Sequence, residues 1–429
     1  MTRFQKNRIL ILGGSVRNKA DQELVVNRIE KIGPEPMLYS YIENVAREGL
    51  ISNTEGAALA AAYGMKGWAD EIRYERLNRF FDLRSRRRDT DRLLEAIADS
   101  RGVLVATPVY FGDRSSYLQD LFAIIRREKG VVEGKMFGMV SVGAKRNGGQ
   151  ETTNIYALNE AAELGFLVVG NGPPTSQYGG TMVGGNMGTM ENDYFGIMTS
   201  IGTGKNVARG GKFLAGMGRS GKTKKKLKIA IWLLQDVGSR LRRVSETIAA
   251  VRTGGGIEYS VVDLTKCSFS KCLACNACPH HRDEPSLHYK CRIKNDDMRT
   301  ILDQLLGVDA VLLGVLDPPT PQGLKTVYQL FTERTRFIRR DDFLLSFRLF
   351  AGLVANEKGR SSVYPLKLLT SYIRHNTIFH RHLEYGSDVV DPQIYMMEEL
   401  DRFEGYVRRI ASAVSVLDVG EQKYLGIGY

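Results

Sequence analysis

What constrains this chain most is that its apolar segments come twice. Arg8-Ile-Leu-Ile-Leu is answered by Lys228-Ile-Ala-Ile-Trp, and Val103-Leu-Val-Ala by Val311-Leu-Leu-Gly. Leu118-Gln-Asp-Leu-Phe is echoed by Val327-Tyr-Gln-Leu-Phe, and Lys135-Met-Phe-Gly-Met-Val-Ser-Val by Arg348-Leu-Phe-Ala-Gly-Leu-Val-Ala. In each half, short runs that are apolar at consecutive positions alternate with amphipathic stretches. A strand of that kind is buried on both faces, which requires a parallel sheet with helices on either side. The expected fold class is α/β: two tandem domains, each a doubly wound parallel sheet.

Length suggests two or three domains. The chain has 429 residues, 43% hydrophobic and 25% charged, enough for each domain to bury its own core. The expected boundaries are a first domain over 1–215, a basic Gly/Lys linker over 216–227, a second domain over 228–418 and a tail over 419–429. Within the linker, Gly216 to Thr223 meets the letters of a P-loop. It precedes a strand and not a helix, so it cannot aim amides at a phosphate. No apolar run reaches the roughly 18–20 residues that span a bilayer, and Met1-Thr-Arg-Phe opens no signal segment. The expectation is a cytoplasmic protein with no membrane partner. Sixty basic residues against 48 acidic ones give a formal charge of +12. No nucleic-acid motif accompanies that charge, so it is read as solvated faces and linker, and no nucleic-acid partner is expected.

Three loops of the first half carry chemistry. Gly13-Gly-Ser-Val-Arg-Asn follows the first strand and leads into a helix-like stretch, Asp21–Ile32. A strand, a small-residue turn and a helix start make an anion site, to which Ser15 adds a hydroxyl and Arg17 a charged fork. Thr107-Pro-Val-Tyr-Phe-Gly and Gly143-Ala-Lys-Arg-Asn-Gly-Gly-Gln-Glu each follow a buried strand, at the edge where open α/β sheets bind ligands.

Together the three loops resemble the motifs of the flavodoxin-like NADPH-dependent FMN reductases, G-S-x-R, [ST]-P-V-Y-F-G and G-G-Q-E, over roughly residues 8–215. The resemblance implies two tandem flavodoxin-like domains, with FMN bound by the first. It implies that Ser15, Arg17 and Asn18 hold the phosphate. It implies that Thr107, Pro108, Val109, Tyr110, Phe111 and Gly112 run along the flavin and ribityl chain. Gly143, Ala144, Lys145, Gly148, Gly149, Gln150 and Glu151 would border the ring. The chain departs from the family at Asp21-Gln22, where an acid beside a phosphate is unfavourable, and the stretch Leu38–Arg92 enlarges the domain.

The second half lacks these motifs. Its first loop, Leu234-Gln-Asp-Val-Gly-Ser, has no basic side chain before Arg240, and Asp317-Pro-Pro-Thr-Pro removes amide donors. Its ring loop, Asn356-Glu-Lys-Gly-Arg-Ser-Ser, has no Gly-Gln-Glu. The second half holds instead all five cysteines of the chain: Cys267, Cys272, Cys275, Cys278 and Cys291. Thiolates two residues apart can face one centre, and a fourth from a returning loop closes the set. A [4Fe-4S] cluster, a four-cysteine zinc site or unligated thiols all fit that spacing. The pattern is similar to the C-x2-C-x2-C-x4–7-C of the iron–sulfur flavoproteins, followed by an acidic stretch as in Asn295-Asp-Asp-Met. That resemblance implies Cys272, Cys275, Cys278 and Cys291 as ligands. The gap before Cys291 is longer than in that pattern and also holds His280, His281 and His288. Cys267 reads as a spare or buried thiol.

Three functions are weighed. The first is an oxidoreductase passing electrons between FMN and a [4Fe-4S] cluster to reduce a small acceptor or a redox partner protein. The second is an NAD(P)H-dependent FMN or quinone reductase with structural zinc, and the third a non-catalytic flavodoxin-like scaffold. NAD(P)H is a candidate donor, no catalytic residue is assigned, and the family's habit of dimerising leaves a homodimer open.

Overall fold

The computed structural model describes residues 6–81, 89–128, 130–185, 193–215, 226–275, 278, 291–317, 326–340, 343–356, 363–386 and 392–414. The P-loop-like linker, His280, His281, His288, the proline loop from 318, the loop at 357–362 and the tail lie outside them. The chain forms two compact units, Met1–Arg219 and Ser220–Tyr429.

The first unit runs β1 (Arg8–Gly13), α1 (Gln22–Val25), α2 (Glu35–Arg47), α3 (Asn53–Met65), β2 (Glu71–Arg76), α4 (Leu77–Phe80), α5 (Thr90–Ala98) and β3 (Gly102–Pro108). It continues with α6 (Ser116–Arg127), β4 (Met136–Gly143), α7 (Gln150–Glu163), β5 (Leu167–Val169), β6 (Gly180–Val183) and α8 (Tyr194–Ala215). All the strand pairs are parallel, in the order β2-β1-β3-β4-β5. β6 takes over from β5 along the C-terminal half of β4. This is the flavodoxin-like order, and its direction reverses between β1 and β3, opening a crevice at their C-terminal ends.

One sequence expectation meets a correction here. The helix expected over Asp21–Ile32 breaks at Val26 (φ −123°) into α1 and a 3-10 turn, Asn27–Lys31. Two successive β-branched residues, Val25 and Val26, disfavour a continuous helix there. The stretch Leu38–Arg92 supplies the sheet's edge strand β2. The α3 face of the sheet is backbone-close. A Cβ on Gly204 would lie 1.8 Å from the Ala61 carbonyl oxygen, and one on Gly64 would lie 2.0 Å from that of Ile201. Glycine alone lets α8 seat against α3.

The second unit contains β7 (Leu227–Gln235), α9 (Arg240–Arg252), β8 (Ile257–Asp263), α10 (Met298–Leu306), β9 (Ala310–Asp317), α11 (Thr326–Arg334) and α12 (Arg336–Arg340). Then come β10 (Leu349–Asn356), α13 (Tyr364–Tyr372), β11 (Ile378–Phe379), β12 (Leu383–Gly386) and α14 (Pro392–Val414). Its strands are ordered β8-β7-β9-β10-β11, and β12 takes over from β11 on β10. The split last strand repeats that of the first unit. Trp232 is fully buried on β7, edge-on to Phe331 and Phe350.

The two first loops differ in what they offer an anion. After β7, the Asp236 carboxylate folds back on the chain. Its Oδ1 accepts from the backbone N–H groups of Val237 (2.7 Å) and Leu241 (3.0 Å), and its Oδ2 from that of Arg242 (3.0 Å). The start of α9 is already occupied by a side-chain carboxylate, where a βα turn would otherwise be free to take a phosphate.

Candidate functional site

In the first unit a cavity of about 810 Å³ opens at the C-terminal ends of β1, β3 and β4. Of the expected residues, Ser15, Arg17, Pro108, Val109, Tyr110, Gly143 and Ala144 line it. Three sequence segments, each after a different strand, therefore meet at one place.

The remaining expected residues stand behind or beside the cavity wall. Thr107 is fully buried; its Oγ1 accepts from the Ser115 N–H at 3.1 Å, while Ser115 Oγ donates to the Gly14 carbonyl at 2.6 Å. That brace ties the β1 and β3 loops together. Asn18 is buried, its Oδ1 accepting from Ser52 Oγ at 2.8 Å, and its Nδ2 has no hydrogen-bond partner among the described residues. Gln150 turns inward and donates to the carbonyls of Lys145 (2.8 Å) and Met182 (3.1 Å), pinning the β4 loop from inside. Lys145, Gly148 and Glu151 are exposed. Phe111 (φ 52°) and Gly112 (φ 79°) form a tight hairpin turn closed by Tyr110 and Asp113, and the Phe111 side chain points wholly into solvent. Gly149 (φ 95°) abuts that turn: a Cβ there would come within 2.8 Å of the Gly112 Cα.

The sequence reading missed one wall of the cavity. Arg47, Gly49, Ile51, Ser52, Asn53 and Thr54, from the α2–α3 junction, line it, as do Lys19 and the pair Gly184 and Gly185. The junction is held by a capping box in which Ser52 Oγ accepts from the Glu55 N–H and the Glu55 carboxylate accepts from the Ser52 N–H. The same fully buried carboxylate accepts from the N–H groups of Lys19 and Ala20, at 2.7 Å each, and from Tyr74 Oη at 3.2 Å. Burial, and then Glu55 itself, pushes the Tyr74 phenol well above its ordinary pKa, so it stays a donor. The Ser52-x-x-Glu55 spacing was the available signal.

Asp21 and Gln22, the positions that depart from the family, have structural tasks. Asp21 Oδ1 caps α1 by accepting from Leu24 N–H, and Gln22 pairs both its amide groups with the backbone of β2 at Ile72 and Tyr74. Neither lines the cavity.

In the second unit Cys272, Cys275, Cys278 and Cys291 line one small cavity with Arg336 and Arg340. Cys267 stands apart, its Sγ donating to the Asp263 carbonyl at 3.7 Å. Two aspartates bring the returning segment back. Asp297 Oδ2 accepts from Ser268 N–H (2.7 Å), and Asp296 Oδ2 from Ser270 N–H (2.9 Å). The acidic stretch after the last cysteine is thus a clamp on the chain just before the triplet. Burial pushes the Cys278 thiol up, and the nearby Cys291, Cys272 and Cys275 add to that shift. Four thiols crowded together suit a cationic occupant. Among the described residues no three His, Cys, Asp or Glu side chains form a ready single-ion site, and no helix is long and apolar enough to cross a membrane.

Residues 7–178 match the model of the NADPH-dependent FMN reductase family. The chain is 40% identical over 122 residues to an iron–sulfur flavoprotein of Methanocaldococcus jannaschii, covering 28% of this chain and 63% of that one. It is 32% identical over 123 residues to an iron–sulfur flavoprotein of Methanosarcina thermophila, covering 28% and 60%. The chain thus spans under two thirds of either relative. A flavodoxin, WrbA-like protein of Agrobacterium tumefaciens superposes with a TM-score of 0.31 at 15% identity, over 48% of this chain and 98% of that one.

Proposed function

We propose that this chain, whose residues 7–178 belong to the NADPH-dependent FMN reductase family, is a tandem of two flavodoxin-like domains acting as an iron–sulfur flavoprotein oxidoreductase. The observation that carries the reading is the 810 Å³ cavity at the meeting of the three loops. Its size falls in the range of roughly 300–1,000 Å³ usual for cofactor sites. The residues present suit FMN: the lining includes the cations Arg17 and Lys19 and the Ser15 hydroxyl, together with Pro108, Val109, Tyr110, Gly143 and Ala144. In the second unit the four cysteines supply a thiolate donor set suited to a [4Fe-4S] cluster.

When bound, a flavin and a cluster together supply conversion between two-electron hydride chemistry and single-electron transfer. The chain's own residues do the rest. Arg17 and Lys19 neutralise and orient the phosphate end, and backbone at Gly143 and Ala144 offers donors and acceptors to a ring edge. Glu55 fixes the Lys19 and Ser52 backbones so that the loops stand ready before anything binds. Tyr110, half exposed at the rim, is placed to hand a proton to an acceptor entering from solvent. NAD(P)H is the donor and a small organic molecule or a redox protein the acceptor.

The test is the visible spectrum of protein purified without oxygen, with flavin, iron and acid-labile sulfide counted per chain. One flavin, with iron and sulfide in equal amounts, supports the reading. Flavin with zinc and no sulfide makes the cysteine site structural, and a protein that neither carries nor takes up flavin overturns the proposal.

A further inference from the structure

Among the described strands β6 pairs with β4 alone, so the amides on its outer side need partners from elsewhere. Side chains at the start of α8 supply them. Thr199 Oγ1 accepts from the Thr181 N–H at 3.1 Å, and Asp193 Oδ2 accepts from the Val183 N–H at 2.6 Å. Asp193 stands just ahead of α8, where a carboxylate suits the unpaired first-turn amides, and its Oδ1 accepts from the Gly196 N–H at 3.0 Å. The carboxylate is buried. Only glycine at 196 leaves room for it: a Cβ there would run into the carboxylate and lie 2.8 Å from the Met182 Cα.

Onto this buried anion comes Arg146, from the loop that follows β4. Its Nη2 pairs with Asp193 Oδ1, its Nη1 donates to the Thr181 carbonyl at 3.3 Å, and the guanidinium lies 5.5 Å from the centre of the Phe195 ring. Arg146 therefore reaches across β6 and ties its own loop to the start of α8. The same loop is tied again where the Gly184 N–H donates to the Gly143 carbonyl at 2.7 Å. Gly143, Ala144 and Gly184 line the cavity, and Arg146 stands outside that lining.

Asp193 meets its capping task through N–H groups alone. The arginine adds little to the fold, since an ion pair with one partner half in water contributes weakly to stability. What it fixes is the loop. A planar fork can hold a carbonyl and a carboxylate at once, which an ammonium cannot do with the same geometry. A ligand binds more tightly when the groups that meet it are ordered before it arrives.

We infer that Arg146 is a positioning residue for the flavin ring: held by Asp193, it sets the backbone of Gly143 and Ala144 and touches no part of the cofactor itself. This rests on the FMN reading above.

The experiment titrates the flavin-free full-length chain and its R146Q, D193N, R146Q/D193N and R17A variants with FMN and with riboflavin, which has the same ring and no phosphate. Quenching of flavin fluorescence reports binding. R146Q should lose affinity for both flavins by the same factor, on the order of tenfold, the scale of one hydrogen bond at the ring edge. D193N, which keeps a capping side chain, should lose about as much. The double variant should lose no more than the weaker-binding single one, because the two residues act as a unit. R17A should lose FMN and keep riboflavin. The melting temperature of flavin-free R146Q should stay within about 2 °C of the parent, which separates positioning from general loosening. If D193N does not fold, R146Q and R146K decide, with R146K falling between R146Q and the parent. Parent affinity for both flavins in R146Q overturns the inference, as does a loss confined to FMN, which would put Arg146 on the phosphate. Both results leave the FMN reading standing. A parent chain that takes up neither flavin takes down that reading and this inference with it.

Discussion

The Glu55 carboxylate and the Lys19 N–H stand 2.7 Å apart across 36 positions of sequence, joining the anion loop to the start of α3. With Ala20, Ser52 and Tyr74 on the same carboxylate, one buried side chain holds two walls of the cavity. Glu55→Ala would leave four donors without their acceptor. Losing the cap and burying those groups should cost on the order of 3 kcal/mol, and flavin affinity should fall by at least about tenfold. Urea unfolding and quenching of FMN fluorescence on titration measure the two effects; a stable variant with parent affinity would show the junction to be incidental.

Arg17 and Asp21 lie close in sequence and differ in task. Arg17 lines the cavity, whereas Asp21 caps α1. Arg17→Ala should weaken FMN binding by about 1.5–3 kcal/mol, the scale of a charge-assisted hydrogen bond. Asp21→Asn should leave it within about twofold, since asparagine caps a helix as well as aspartate does. Equal losses in the two variants would mean that the acid also faces the ligand.

Cys275 and Cys267 separate in the same way. Cys275→Ser should empty the metal site, because Cys275 lines the shared cavity, while Cys267→Ser should leave it filled. Metal content per chain, measured after anaerobic purification, decides; a site emptied by the Cys267 change would redraw the ligand set.

His375, His380 and His382 are buried and held neutral, with pKa values pushed down to about 3, 3 and 4, chiefly by burial. Unfolded, each would take a proton near pH 6.5. Below that pH the unfolded chain binds more protons than the folded one, so stability is full above about pH 6.5 and falls as the pH drops toward 3–4. Each histidine contributes about 1.4 kcal/mol per pH unit in that window. The fluorescence of Trp232 in a Trp68→Phe chain should report a urea midpoint that drops steeply between pH 7 and 5. A midpoint constant over that range would place these rings in contact with water.

The strands β1, β3 and β4 could be read from sequence because consecutive apolar residues ending in Gly, Thr-Pro or Val-Gly leave few other folds. The edge strand β2, Glu71-Ile-Arg-Tyr-Glu-Arg, could not: an edge needs only one apolar face, and its charges hide the alternation. Gln22 and Asp21 looked like departures from a ligand pattern because their partners, the β2 backbone and Leu24, become neighbours only on folding. Arg146 gave no local sign at all. Its partner carboxylate is 47 residues away, and nothing in the loop after β4 distinguishes a tethered guanidinium from a solvated one.

The carboxylate that Asp236 folds onto α9 has a consequence for how the two units respond to their surroundings. A tethered anion is present at a fixed effective concentration, whereas a diffusing phosphate stabilises its site only in proportion to how much of it is in solution. Adding FMN or inorganic phosphate should therefore raise the melting temperature of the first unit and leave that of the second where it was. The second unit has a constant where the first has a dependence on supply, and its first loop stays anchored whatever the flavin pool is doing.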